Sequence, residues 1–154
     1  MLRLTLAALH LIALGLGLGA VLARGTALRE PPGAGALRRA FRNDTLWGIA
    51  AGLWIVTGIW RLLAGTEKAP DYYFRNTFFN LKMGLLVLIL VLEVSPMLTL
   101  TRWRRALGRG ESAESLMTPA ATRRMAAVSH VEALLVVLMV VAAVSMARGY
   151  GAHG

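Results

Sequence analysis

The sequence predicts an all-α fold, an integral membrane four-helix bundle running up-down-up-down with both termini outside. Three observations carry this prediction. Four apolar runs cover about residues 4–23, 45–64, 77–100 and 125–147. Each has roughly the 20 residues that an α-helix needs to cross ~30 Å of hydrocarbon. Hydrophobic residues make up 56% of the 154-residue chain, above the roughly 45–50% of soluble domains, and too little chain remains to shield four apolar helices from water. The basic residues gather in alternate connectors, the charge pattern of cytoplasmic loops. The whole chain, 1–154, reads as a single membrane domain.

The first span carries His10 at about the seventh position, and His10, Leu14, Gly17, Val21 and Arg24 follow helical spacing down one face. Gly15 and Gly19 lie in its inner half, as Gly48 and Gly52 do in span two. Small residues four apart let helix backbones approach, so both pairs are expected at a tight contact between spans one and two. Val21-Leu22-Ala23 faintly resembles a signal-peptidase site. The apolar stretch is longer than an ordinary signal core, and arginines follow it, so the segment reads as a retained helix.

The first connector, 24–43, holds Arg24, Arg29, Arg38, Arg39 and Arg42 around Glu30-Pro31-Pro32-Gly33-Ala34-Gly35. Pro-Pro and Gly predict a flexible loop there, with a short basic surface helix over 37–42. Asp44 begins span two and is a candidate helix N-cap. Asp44, Trp47, Ala51, Trp54, Gly58 and Arg61 form one stripe of that span. In the second connector Glu67, Lys68, Asp71 and Arg75 cancel, and Tyr72-Tyr73-Phe74 suits a headgroup zone. Span three aligns Lys82, Leu86, Ile89 and Glu93 on one face. The third connector, 101–124, contains Arg102, Arg104, Arg105, Arg109, Arg123 and Arg124, the 111–115 patch and a turn at Thr118-Pro119. Trp47 and Trp103 are expected as anchors at the inner interface and Trp60 at the outer one. In span four, His130 and Glu132 are about 200° apart on a helix. Glu132 is the inward one, because a carboxylate in lipid costs more than a neutral imidazole. The tail after Arg148 is glycine-rich and expected to be loose.

Depth sorts the polar residues into two layers. His10 and Lys82 lie about 8–11 Å below the outer border by helical rise, with Arg61 and Arg148 at the span ends on that side. Asp44, Glu93, His130 and Glu132 lie in the inner half, with Arg24 and Arg104 just beyond. The stripes predict one polar intramembrane seam. His10, Lys82 and Arg61 are candidates for binding a cofactor; Asp44, Glu93, Glu132 and Arg148 are intramembrane polar residues without an assigned role.

The exclusions are firm. With no cysteine, disulfides and thiolate chemistry are ruled out. No metal motif is present: no two histidines are spaced i, i+3 or i+4. Gly15-Leu16-Gly17-Leu18-Gly19 lacks the strand-turn-helix context of a dinucleotide fingerprint. The net charge of +9 sits in alternate loops, so it implies anionic lipid rather than nucleic acid.

Leu9-His10, Asp44 with Gly48, Gly58 and Arg61, Tyr72-Tyr73 with Asn76, Phe79 and Lys82, Ser95-Pro96, Arg102-Trp103-Arg104, Arg123-Arg124, Glu132 and Met146-Ala147-Arg148-Gly149 together resemble a family of small bacterial four-span membrane proteins of unknown function. That resemblance covers nearly all of the chain and implies no activity. His10 and Lys82 carry a weaker likeness to the HemJ-type protoporphyrinogen oxidase and related haem-linked membrane proteins, in which a histidine lies early in the first span and a lysine early in a later one.

Three roles follow from these readings. The default is a non-catalytic membrane subunit whose basic loops recruit a partner. A second is a haem-, tetrapyrrole- or quinone-binding redox protein, with His10 as ligand or proton carrier and Lys82 and Arg61 holding carboxylates; haem is its possible cofactor. A third is a small proton-coupled or anion transporter. A homodimer or a membrane partner is expected, in the bacterial cytoplasmic membrane.

Overall fold

The computed structural model describes residues 1–63 and 75–151. Four long helices and one short one are found there: α1 Leu2–Ala27, α2 Ala34–Leu63, α3 Thr77–Gly108, α4 Ala113–Leu116 and α5 Pro119–Ala147. The described residues form no strand, and α1, α2, α3 and α5 are each long and apolar enough to cross a membrane. The helices alternate in direction. The start of α1 meets the end of α2, where His10 Nδ1 lies 2.9 Å from Thr57 Oγ1. The end of α1 meets the early part of α2, where Arg24 reaches Asp44.

Backbone packing runs α2–α1–α5–α3. α2 and α3 are joined instead through long side chains, Trp47 to Glu93 and Arg104 to Asp44. Along the seam, Val21, Trp47, Trp54, Ile89, Val136 and Met139 are buried together. The opposite faces carry exposed Ile12, Leu16, Leu53, Val91 and Val141. An apolar outer surface around a polar seam suits lipid as the solvent.

The helices run past the apolar spans at the arginine-rich end. α2 and α3, of 30 and 32 residues, are roughly 45–48 Å long, well beyond a ~30 Å core. This corrects the loop expected at 24–43. Only 28–33 lies between α1 and α2, and the stretch 37–42 is continuous with α2 because Leu37 and Ala40 are buried in a second core. That core also takes Leu28, Leu100, Trp103 and Met117, with α4 beneath them. Asp44 is therefore inside a helix and caps nothing.

Other expectations change as well. Trp47 and Trp103 are buried in the bundle rather than anchored at an interface, while Trp60 is exposed. Thr118-Pro119 is the start of α5, with Pro at the first turn, where a missing N–H costs nothing. Among the described residues nothing lies within 4 Å of a Cβ placed on Gly15, Gly19, Gly48 or Gly52; the close approach of α1 to α2 is at Gly17. A Cβ at Gly17 would sit 3.1 Å from the Trp47 ring. The expected pairs lie on the other face of α1 and on an open face of α2.

The tail is held through Gly151. Asn76 caps α3 by accepting from the N–H groups of Phe78 and Phe79, and its amide donates to the Tyr150 carbonyl at 3.0 Å. Thr77 N–H donates to the Gly151 carbonyl. Gly151 has a φ of +74°, and a Cβ there would strike Phe78, so only glycine fits this turn. Tyr72-Tyr73-Phe74 lie outside the described residues.

Candidate functional site

Two polar sites occupy the seam, at opposite ends. They are separated by the 14 helical steps from His10 to Arg24, roughly 20 Å of helix.

The first is built around Arg24, whose side chain is fully buried. α1 delivers it from the face that also carries Gly17 and Val21, both buried. Its Nε donates to Ser129 Oγ at 3.0 Å. Nη1 donates to Asp44 Oδ1 at 3.0 Å and Glu93 Oε1 at 2.7 Å. Nη2 donates to Glu93 Oε2 at 2.8 Å and Glu132 Oε2 at 2.7 Å. A guanidinium has five N–H donors, and all five are used. Glu93 is held bidentately, the geometry in which arginine and carboxylate match best.

The carboxylates are supported from outside the ring. Trp47 Nε1 donates to Glu93 Oε2 at 3.1 Å, and Arg104 Nη2 donates to Asp44 Oδ2 at 2.9 Å. Arg104 also donates to the Phe41 carbonyl and stacks over the Phe41 ring. Ser129 spends its own proton on the Met125 carbonyl, so its oxygen accepts from Arg24. Glu132 is fully buried, and its Oε1 has no hydrogen-bond partner among the described residues. His130 turns aside. Its Nδ1 lies 2.5 Å from the Ala126 carbonyl, and its ring occupies the space beside Gly25.

The second site is a cavity of about 260 Å³ at the other end. His10, Trp54, Gly58, Arg61, Phe79 and Lys82 line it, with Met139 and Met146 from α5. A lobe of about 150 Å³ shares several of these residues and extends between α2 and α3, past Ile55, Ile59, Met83 and Leu86. This is a helix pair without close backbone packing, and the gap between the two is lined mainly by apolar side chains.

Local chemistry fixes His10. Thr57 Oγ1 lies 2.7 Å from the Leu53 carbonyl, one turn back on α2. The hydroxyl has one proton, which this carbonyl takes. Its oxygen then accepts from His10 Nδ1–H. Gly58 makes room, since a Cβ there would lie 3.1 Å from His10 Cε1. Trp54 flanks the imidazole with ring centroids 5.8 Å apart. The Trp54 indole N–H is buried and has no acceptor among the described residues. Lys82 Nζ lies over the Phe79 ring at 5.7 Å.

His10, Arg61 and Lys82 thus share one cavity, and Asp44, Glu93 and Glu132 share one cation. Arg148 joins neither: it is exposed at the end of α5. Sequence reasoning set Arg24 beside the carboxylates and missed that it is their centre. It also missed Ser129, Trp47 as a donor, and Thr57. Arg24 ends the α1 stripe, and that was the available signal; a serine or threonine in an apolar helix carries none.

A bundle of this kind, with its ionisable side chains turned inward and its outer faces apolar, defines a polytopic membrane protein. Over residues 2–151 the chain matches the family described as "Predicted membrane protein (DUF2214)". It belongs to that family. No curated protein and no solved structure matches it.

Proposed function

We propose that this membrane protein binds a planar, mainly apolar molecule with acceptor oxygens, of the quinone or tetrapyrrole class, which enters the His10 cavity from the lipid. The observation that carries this reading is the cavity itself, about 260 Å³ in the membrane-spanning seam, walled by His10, Trp54 and Phe79 with Arg61 and Lys82 at its edge.

His10 supports the same reading. Its ring is oriented through Nδ1 on Thr57, as an imidazole that would hold a haem iron commonly is. The two lobes, about 260 and 150 Å³, are small for a ligand site, which ordinarily spans roughly 300–1,000 Å³. A quinone ring suits them as they stand, and a tetrapyrrole uses the opening between α2 and α3. Arg61 and Lys82 supply positive charge for carboxylates. We assign the bacterial cytoplasmic membrane as the compartment, on the exposed arginines gathered at one end of the bundle.

The test is binding by the purified protein in detergent, with haem and a short-chain quinone as probes, read by absorbance and tryptophan fluorescence. Saturable binding of one probe is expected, weakened at least tenfold in His10→Ala. No spectral change with either probe would overturn the reading.

A further inference from the structure

We propose that the Arg24 cluster is a proton-binding site in which Glu132 and Glu93 together hold one exchangeable proton within the membrane. It rests on different residues from the His10 cavity and stands or falls apart from it.

Charge is the first argument. Asp44, Glu93 and Glu132 face two guanidiniums, Arg24 and Arg104. Fully ionised, the cluster has one negative charge in excess. Uncompensated charge at this depth is expensive, and a single proton removes it.

Donor supply is the second argument. The five N–H groups of Arg24 are committed to five acceptors. Every carboxylate oxygen of the cluster then has a donor except Glu132 Oε1, which is buried and has no partner among the described residues. An ionised oxygen in that position has no donor among the described residues, whereas a neutral carboxyl costs far less to bury. Glu93 and Glu132 also converge on one nitrogen, Nη2. Carboxylates that share a partner this closely bind protons as a pair rather than singly.

Access is the third argument. The Glu93 side chain is 20% exposed and that of Asp44 17%, against none for Glu132. Glu93 therefore links the buried carboxyl to the arginine-rich end. On uptake a solvent proton adds to a carboxylate oxygen of the pair; on release it returns to solvent, and no other bond changes. The charged groups that surround the pair are Arg24 from α1, Asp44 from α2 and Arg104 from α3. On α5 the remaining titratable neighbour, His130, is turned toward Gly25 and Ala126.

Infrared spectroscopy of the purified full chain at neutral pH tests the proposal. The expected spectrum has the carbonyl stretch of a protonated carboxylic acid, shifting on exchange into D2O and lost in Glu132→Gln or Glu93→Gln. Glu132→Gln, which replaces a neutral acid by a neutral amide of the same shape, is expected to keep the unfolding temperature of the parent. Absence of the band, its persistence in both variants, or a large fall in the unfolding temperature of Glu132→Gln would overturn the assignment.

Discussion

Removing the Arg24 side chain leaves three carboxylates gathered around an empty centre. Deleting one partner of a buried ion pair costs about 3–5 kcal/mol, and here a single deletion unpairs several groups. Arg24→Ala is expected to lose at least that much, measured by thermal unfolding in detergent. Arg24→Lys restores the charge but brings three donors from one point instead of five in a plane. It is expected to recover only part of the loss, because Ser129, Asp44, Glu93 and Glu132 approach from different directions. Equal stability of Arg24→Lys and the parent would show that charge alone holds the cluster. Trp54 is the opposite case: its N–H has no acceptor among the described residues, so Trp54→Phe is expected to keep the unfolding temperature of the parent.

At the scale of elements, α1 and α2 meet through Gly17, not through the glycines spaced by four. Gly17→Leu is expected to cost about 1–3 kcal/mol by overpacking against Trp47. Gly15→Leu, with nothing nearby, is expected to stay within about 0.5 kcal/mol. Unfolding temperatures of the two variants check this, and a reversed order would refute the packing. The comparison also shows what the sequence makes legible. Helical rise is a property of the backbone, so it sorts His10 and Lys82 from Glu93 and Glu132 by depth. The stripes of α1, α2 and α3 likewise fall on the seam that the bundle buries. Which small residue meets a neighbour depends on the rotation of both helices, and a spacing of four marks a face without saying what lies across it. The expected loop at 24–43 failed for a related reason. Pro31, Pro32 and Gly33 do break the helix, but burial of Leu37 and Ala40 restarts it at once, and that burial depends on α3 and α4, which are distant in sequence.

For the molecule as a whole, direction in the membrane is open to a simple experiment, because the chain has no cysteine to remove. Arg38→Cys and Tyr150→Cys place single thiols at opposite ends of the bundle, both at exposed positions. If the arginine-rich end faces the cytoplasm, an impermeant maleimide labels Tyr150→Cys in intact spheroplasts and labels Arg38→Cys only after lysis. The reverse pattern would invert the topology. Labelling of both from one side would contradict the alternating helices. The saturated guanidinium also bears on solvent. Arg24 has no N–H left to offer, so a water molecule that comes up to it from the arginine-rich end gains a donor only by prising away Ser129 or a carboxylate.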